Sequence, residues 1–139
     1  MTQQNTKKIA LVTGGGSGIG RSICLRLAKR DMHIIVIDLN LDAANLVKDE
    51  ILSDNGSADA YAVDVANHQQ VHELFNTITN HYPIDILVNN AGIAHIGNIE
   101  NTTEADLDRL YNINVKGVYN CIHAAIESMK SRKSGVIVN

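Results

Sequence analysis

An α/β fold, with a doubly wound parallel sheet between two helical layers, is predicted by three features of the 139-residue sequence. Short apolar runs alternate with stretches of helical period from end to end, glycine concentrates directly after the first run, and the single proline, Pro83, interrupts no element. Residues 9–12, Ile-Ala-Leu-Val, are a run of the kind found in strands buried on both faces, and after the glycines Ile19, Ile23 and Leu27 fall at helical spacing. Residues 33–37, His-Ile-Ile-Val-Ile, make a second strand. A helix over 41–52 turns Leu46 and Val47 inward and stops at Asn55-Gly56. Residues 58–63 form a weaker third strand, and Val71, Leu74, Phe75 and Ile78 mark a third helix. The fourth strand, 84–88, begins after Pro83, where a missing N–H does least harm to a ladder. One long helix spans 103–132, with Leu107, Leu110, Tyr111, Asn114, Val118, Cys121, Ile122, Ala125 and Met129 on one stripe, and Gly135 releases a fifth run at 136–139.

This βαβαβαβαβ order requires crossover connections, whose right-handedness distributes the helices over both faces. The expected architecture is a three-layer αβα Rossmann fold in one domain covering 1–139. Because the sequence stops inside the fifth strand, which would leave an open ladder, the domain is expected to be incomplete at its carboxyl end and truncated after that strand.

Composition narrows the function classes. The chain is 45% hydrophobic and 19% charged, and twelve Lys and Arg against fifteen Asp and Glu leave a formal charge of -3. No broad basic field invites nucleic acid, and no segment approaches the roughly 18 consecutive apolar residues of a membrane span. Residues 1–8 are polar and lack the apolar core and cleavage site of a signal peptide, so the cytoplasm is the expected compartment. Cys24 and Cys121 sit in helical patterns without the spacing of a metal or redox pair and read as free buried thiols.

In doubly wound sheets ligands bind beyond the carboxyl ends of the strands. There the first strand is followed by Thr13-Gly14-Gly15-Gly16-Ser17-Gly18-Ile19-Gly20, five of the ten glycines within seven positions. Glycines without Cβ atoms let a diphosphate approach peptide N–H groups at a helix start, where the dipole is positive. Asp38, at the end of the second run and 18 to 20 residues beyond Gly20 and Gly18, is placed to accept hydrogen bonds from an adenosine ribose. A 2′-phosphate would meet like charge there, and Ile37-Asp38-Leu39-Asn40 holds no Lys or Arg to offset it, so NAD is favoured over NADP. The same loop also resembles a phosphate loop with Gly15, four residues and Gly20, but Arg21-Ser22 stands where a triphosphatase needs Lys-Ser/Thr. His68 and His72, four apart on one helix, could ligate a metal; no third ligand is indicated, and no metal site is expected. His95 and Ile96 lie in a loop that could approach a substrate.

Together these residues resemble the short-chain dehydrogenase/reductase superfamily of the classical type, over essentially the whole sequence. Thr13-Gly14-x-x-x-Gly18-x-Gly20 is similar to its nucleotide loop, Asp64-Val65 to the pair lying against the adenine, Asn89-Asn90-Ala91-Gly92 to its Asn-Asn-Ala-Gly element, and Asn114-Val115-x-Gly117 to its long-helix motif. The resemblance implies hydride transfer between NAD(H) and a small alcohol or ketone, with 3-oxoacyl-carrier-protein reductases and 3-hydroxybutyrate or acetoin-type dehydrogenases the nearest in character. It implies a cofactor site at Gly14, Gly16, Ser17, Gly18, Ile19, Gly20, Asp38, Leu39, Asp64, Val65, Asn90, Ala91 and Gly92, with Asn114 as a member of the catalytic tetrad. It also implies a homodimer or homotetramer through the long helix. On their residues alone, Asp64 could equally cap the helix beginning near Asn67, and Asn114 could be a satisfied core amide.

One departure stands out. The family's chemistry uses a Tyr-x-x-x-Lys pair on one helix face and a serine after the fifth strand. Tyr61, Tyr82, Tyr111 and Tyr119 are followed four residues later by Val65, Ile86, Val115 and His123, so no such pair occurs. Tyr111 and Tyr119 read as helix packing residues, and the 139 residues alone are expected to lack turnover. A dinucleotide-binding sensor or interaction protein without catalysis is the second reading; a triphosphatase is the third.

Overall fold

A computed structural model describes residues 6–139; the first part of the polar start, residues 1–5, lies outside the described residues. The elements run β1 (Ile9–Thr13), α1 (Gly18–Ala28), β2 (His33–Asp38), α2 (Leu41–Ser53), β3 (Ser57–Ala62), α3 (His68–Thr79), β4 (Ile86–Val88), α4 (Glu104–Tyr111), a π-helical turn (Asn112–Lys116), α5 (Gly117–Arg132) and β5 (Val136–Val138). All five strands are parallel, in the order β3-β2-β1-β4-β5. The order reverses beside β1, and the crevice of a doubly wound sheet opens at that point, between the carboxyl ends of β1 and β4.

Side-chain alternation sorts each central strand between two cores. Ala10, Val12, Ile34 and Val36 pack with Cys24, Ala44, Val47 and Ile51 of α1 and α2. Ile9, Leu11, Ile35 and Ile37 pack with Val71, Phe75 and Ile78 of α3 and Cys121, Ala125 and Met129 of α5. Burial of β1 and β2 on both faces explains why they read as unbroken apolar runs. A fully buried side chain such as Phe75 contributes about 1.5–3 kcal/mol. At the amino end of β4, Asp85 accepts the first N–H of β1, from Ile9 at 2.8 Å, and a bond from Arg132 Nη1 at 3.1 Å. That carboxylate joins β1, β4 and the last turn of α5.

Several expectations from periodicity need correction. The third strand begins one residue earlier than 58–63, and the fourth is shorter than 84–88, because Ile84 and Asp85 precede the ladder. Leu46 points outward, 72% exposed, while its neighbour Val47 is buried: adjacent helical residues differ by about 100°, and only one can face the sheet. Ile19 is 75% exposed, because the buried positions of α1 are Gly20 and Cys24. The helix expected over 103–132 is broken by the π-helical turn, and its apolar stripe divides there. Cys121, Ala125 and Met129 are buried, whereas Leu107, Tyr111 and Tyr119 are more than half exposed, so the two tyrosines are surface residues and not packing residues.

Cys24 and Cys121 are free and buried, at 0% and 1% exposure. Burial pushes both thiols up to about 12. Their reactive thiolate forms are therefore negligible near neutrality. Maleimide at about pH 8 is expected to leave both unmodified in the native chain and to label both in denaturant. Native labelling at the rate of a free thiol, read by mass spectrometry, would contradict this burial.

Candidate functional site

The crevice is held by one hydroxyl. Thr13, 1% exposed at the end of β1, accepts at Oγ1 from the backbone N–H of Asn90 (3.1 Å) and of Ala91 (3.0 Å), and donates to the Val88 carbonyl at 3.4 Å. The Asn90 side chain completes the tie by donating from Nδ2 to the Gly14 carbonyl at 3.1 Å. Asn90 thus joins neighbouring strand ends and does more than occupy a turn. Gly20 must be glycine for the same reason: a Cβ there would collide with the Gly14 carbonyl oxygen and with Asn90 Nδ2.

Above the tie lies a cavity of about 410 Å³. Gly14, Ser17, Gly18 and Ile19 line one side, Asp38, Leu39, Asp64 and Val65 another, and Asn90, Ala91 and Gly92 a third. Eleven of the fourteen residues singled out from the sequence thus meet in one cleft. Gly16, Gly20 and Asn114 are not among its lining residues. Ile93 and Ile113 also line it. No pattern marks either in the sequence, because both lie at irregular backbone. Larger hollows, of about 530 and 650 Å³, open at the amino ends of the strands, away from the glycine loop.

The loop leaves its helix start open. Asn40, Asn67 and Thr103 cap α2, α3 and α4 with side-chain oxygens, whereas Ser17 at the start of α1 makes no such bond. Gly18 has φ +53, and nothing lies within 4 Å of where its Cβ would be. The open helix start and the space beside it fit a diphosphate. Asp38 receives the Gly16 N–H at Oδ2 (2.9 Å) and the Asn40 N–H at Oδ1 (3.0 Å), which fixes the carboxylate while each oxygen keeps accepting capacity toward the cleft. Asp64 accepts from Ala66 N–H at 2.9 Å in its own turn, and the helix cap is Asn67. Arg21 is paired with Glu50 of α2 at 2.7 Å, away from any phosphate cradle.

Asn114 is exposed and lies in the π-helical turn, so it is not a core amide. Its side chain pairs with both backbone polar groups of one residue, accepting from Ile93 N–H at 2.9 Å and donating to the Ile93 carbonyl at 2.8 Å. Helix and post-β4 loop are thereby locked in register. Ile96 is fully exposed, and His95 Nε2 stands 3.9 Å from Asp106 Oδ2.

The expectation that His68 and His72 lack a third partner is overturned: His123 of α5 completes a cluster with them. His68 and His72 share a face of α3, and α5 brings in the third ring through an approach that sequence spacing does not reveal. His72 is held below the ordinary imidazole range by burial, then by His68 and His123.

A family model described as short chain dehydrogenase matches residues 8–139. The chain belongs to that family. An uncharacterized oxidoreductase of Thermotoga maritima is 38% identical over 95% of this short chain dehydrogenase chain and 52% of its own length. A 3-oxoacyl-[acyl-carrier-protein] reductase of Staphylococcus epidermidis is 36% identical, over 95% of this chain and 55% of its own. Among solved structures, a metagenomic short-chain oxidoreductase in complex with NADP matches with a TM-score of 0.90 at 27% identity, covering 94% of this chain and 60% of that one. A 3-ketoacyl-ACP reductase from Sinorhizobium meliloti matches at 0.87 and 30%, covering 93% and 51%. This short chain dehydrogenase chain spans about half the length of the curated relatives it matches.

Thr13→Val keeps the shape of the residue and removes its hydroxyl, stranding the N–H groups of Asn90 and Ala91. Urea unfolding is expected to show a loss of about 1–3 kcal/mol, with Thr13→Ser losing less. A valine variant as stable as the parent would contradict the tie.

Proposed function

We propose that the whole protein is an NAD-dependent oxidoreductase that moves a hydride between the nicotinamide and a small alcohol or ketone. The observation that carries this reading is Asp38: it stands on the cleft rim, fixed by Gly16 and Asn40, with no Lys or Arg in 37–40. A rigid carboxylate suits two ribose hydroxyls and opposes a 2′-phosphate. A solved short-chain oxidoreductase with this fold is in complex with NADP, so the choice of NAD rests on Asp38 alone.

In this reading the glycine loop and the start of α1 hold the diphosphate through Gly14, Gly16, Ser17, Gly18, Ile19 and Gly20, while Asp38 and Leu39 receive the adenosine ribose. Asp64 and Val65 border the adenine, and Asn90, Ala91 and Gly92 keep room for the nicotinamide ribose. When bound, the nicotinamide supplies the hydride chemistry. Asn114 fixes the loop at Ile93, beside the cleft, and orients the helix backbone for a proton relay. The sequence contains no Tyr-x-x-x-Lys pair. The 139 residues alone therefore bind the dinucleotide without turnover, and the proton-transfer groups belong to the rest of the protein. The exposed Leu107, Tyr111 and Val115 of the long helix suit a homodimer or homotetramer contact in the cytoplasm. Among the described residues no helix is long and apolar enough to cross a membrane.

Calorimetry on the whole protein is expected to give tighter binding of NADH than of NADPH. Asp38→Ala should weaken NADH about ten-fold or more, through lost charge-assisted bonds, and narrow the gap to NADPH. Absence of heat with either coenzyme, or an unchanged preference in the variant, would sink the proposal.

A further inference from the structure

His68, His72 and His123 stand apart from the cleft and belong to no part of the proposed chemistry. His68 and His72 are separated by one turn of α3, their ring centroids 4.4 Å apart. The ring of His123 on α5 lies 5.0 Å from that of His72 and 5.6 Å from that of His68. One nitrogen from each residue lies within 4.8 Å of the other two. None of the three is paired with a carboxylate among the described residues.

A buried residue aims this cluster. Asn120, 0% exposed, donates from Nδ2 to the Val65 carbonyl at 2.8 Å, which turns its Oδ1 toward His68 Nδ1 at 2.9 Å. Because a carbonyl oxygen only accepts, the proton of His68 sits on Nδ1 and the lone pair on Nε2. Metal-binding histidines are commonly oriented through their second nitrogen in this way. His72 Nε2 and His123 Nδ1 face each other at 3.0 Å and share one proton.

The geometry points to a three-imidazole site for zinc or a similar borderline-soft divalent ion, which clamps α3 to α5. A cation takes the place of the shared proton, which moves to the far nitrogen of the ring that donated it, so all three rings stay neutral with a lone pair toward the ion. At zinc–nitrogen distances of about 2.0–2.1 Å, a tetrahedral centre separates its ligand nitrogens by about 3.4 Å. The His72–His123 pair is already close to that value, and the exposed rings of His68 and His123 can turn to meet it. Three neutral imidazoles favour zinc, nickel or copper over calcium or magnesium, and the fourth position stays open to water.

The test is a zinc chloride titration of metal-free protein purified without a histidine tag, followed by calorimetry and thermal unfolding. One zinc ion per chain is expected, together with a melting temperature raised by a few degrees at about 100 μM zinc. Cobalt should give the visible bands of a tetrahedral centre. His72→Ala and His123→Ala should each weaken binding about ten-fold or more, while His81→Ala, outside the cluster, leaves it unchanged. No saturable uptake, or an affinity that survives both cluster substitutions, would overturn the site. Because the readouts are zinc affinity and melting, they are independent of dinucleotide binding.

Discussion

The crevice at the top of the sheet depends on a hydroxyl that serves two strands. At the reversal beside β1 a ladder can hold β1 and β4 side by side, but it ends where the strands end. Thr13 extends the connection beyond that limit by accepting two N–H groups from the Asn-Asn-Ala-Gly segment, and Asn90 returns a bond to the glycine loop. Both walls of the cleft are therefore positioned from one point. The rest of the site is arranged around that fixed junction: Asp38 is set by Gly16, and the segment after β4 is pinned again by Asn114.

Asp38 illustrates how one residue can organise the cleft as well as suit a ligand. Its carboxylate draws in a loop amide from one side and the Asn40 amide from the other. Gly16 belongs to this arrangement, since a Cβ there would come within 2.8 Å of the carboxylate. Loop and acid, far apart in the sequence, form one unit, with little rearrangement left for the moment of binding.

The parts legible in the sequence are those governed by local rules. Strands β1 and β2 are buried on both faces, so their composition alone marks them, and the glycine loop is legible because few other structures need so many residues without Cβ. Asp38 follows from its distance to that loop. Other features were set by tertiary packing. Leu46 and Val47 are equally apolar, and only the direction of the sheet decides which is buried. The long stripe from Leu107 to Met129 reads as one face, yet it faces the core only beyond Gly117, whose missing side chain lets α5 close on Val65. Ile93, Ile113 and His123 carry no local signal; their positions depend on where a loop and two helices meet.

The π-helical turn at Asn112–Lys116 also makes chain length a constraint in its own right. Each residue of a helix advances it by about 100°. Removing a single residue from this wide turn would restore a regular spiral and swing α4 around its axis relative to α5. Asn114 would then leave Ile93, and the segment beyond Gly92 would lose its anchor. Many side chains in this stretch could change without moving anything else, whereas a one-residue shortening would act at a distance, rotating a whole helix and releasing the wall of the cleft.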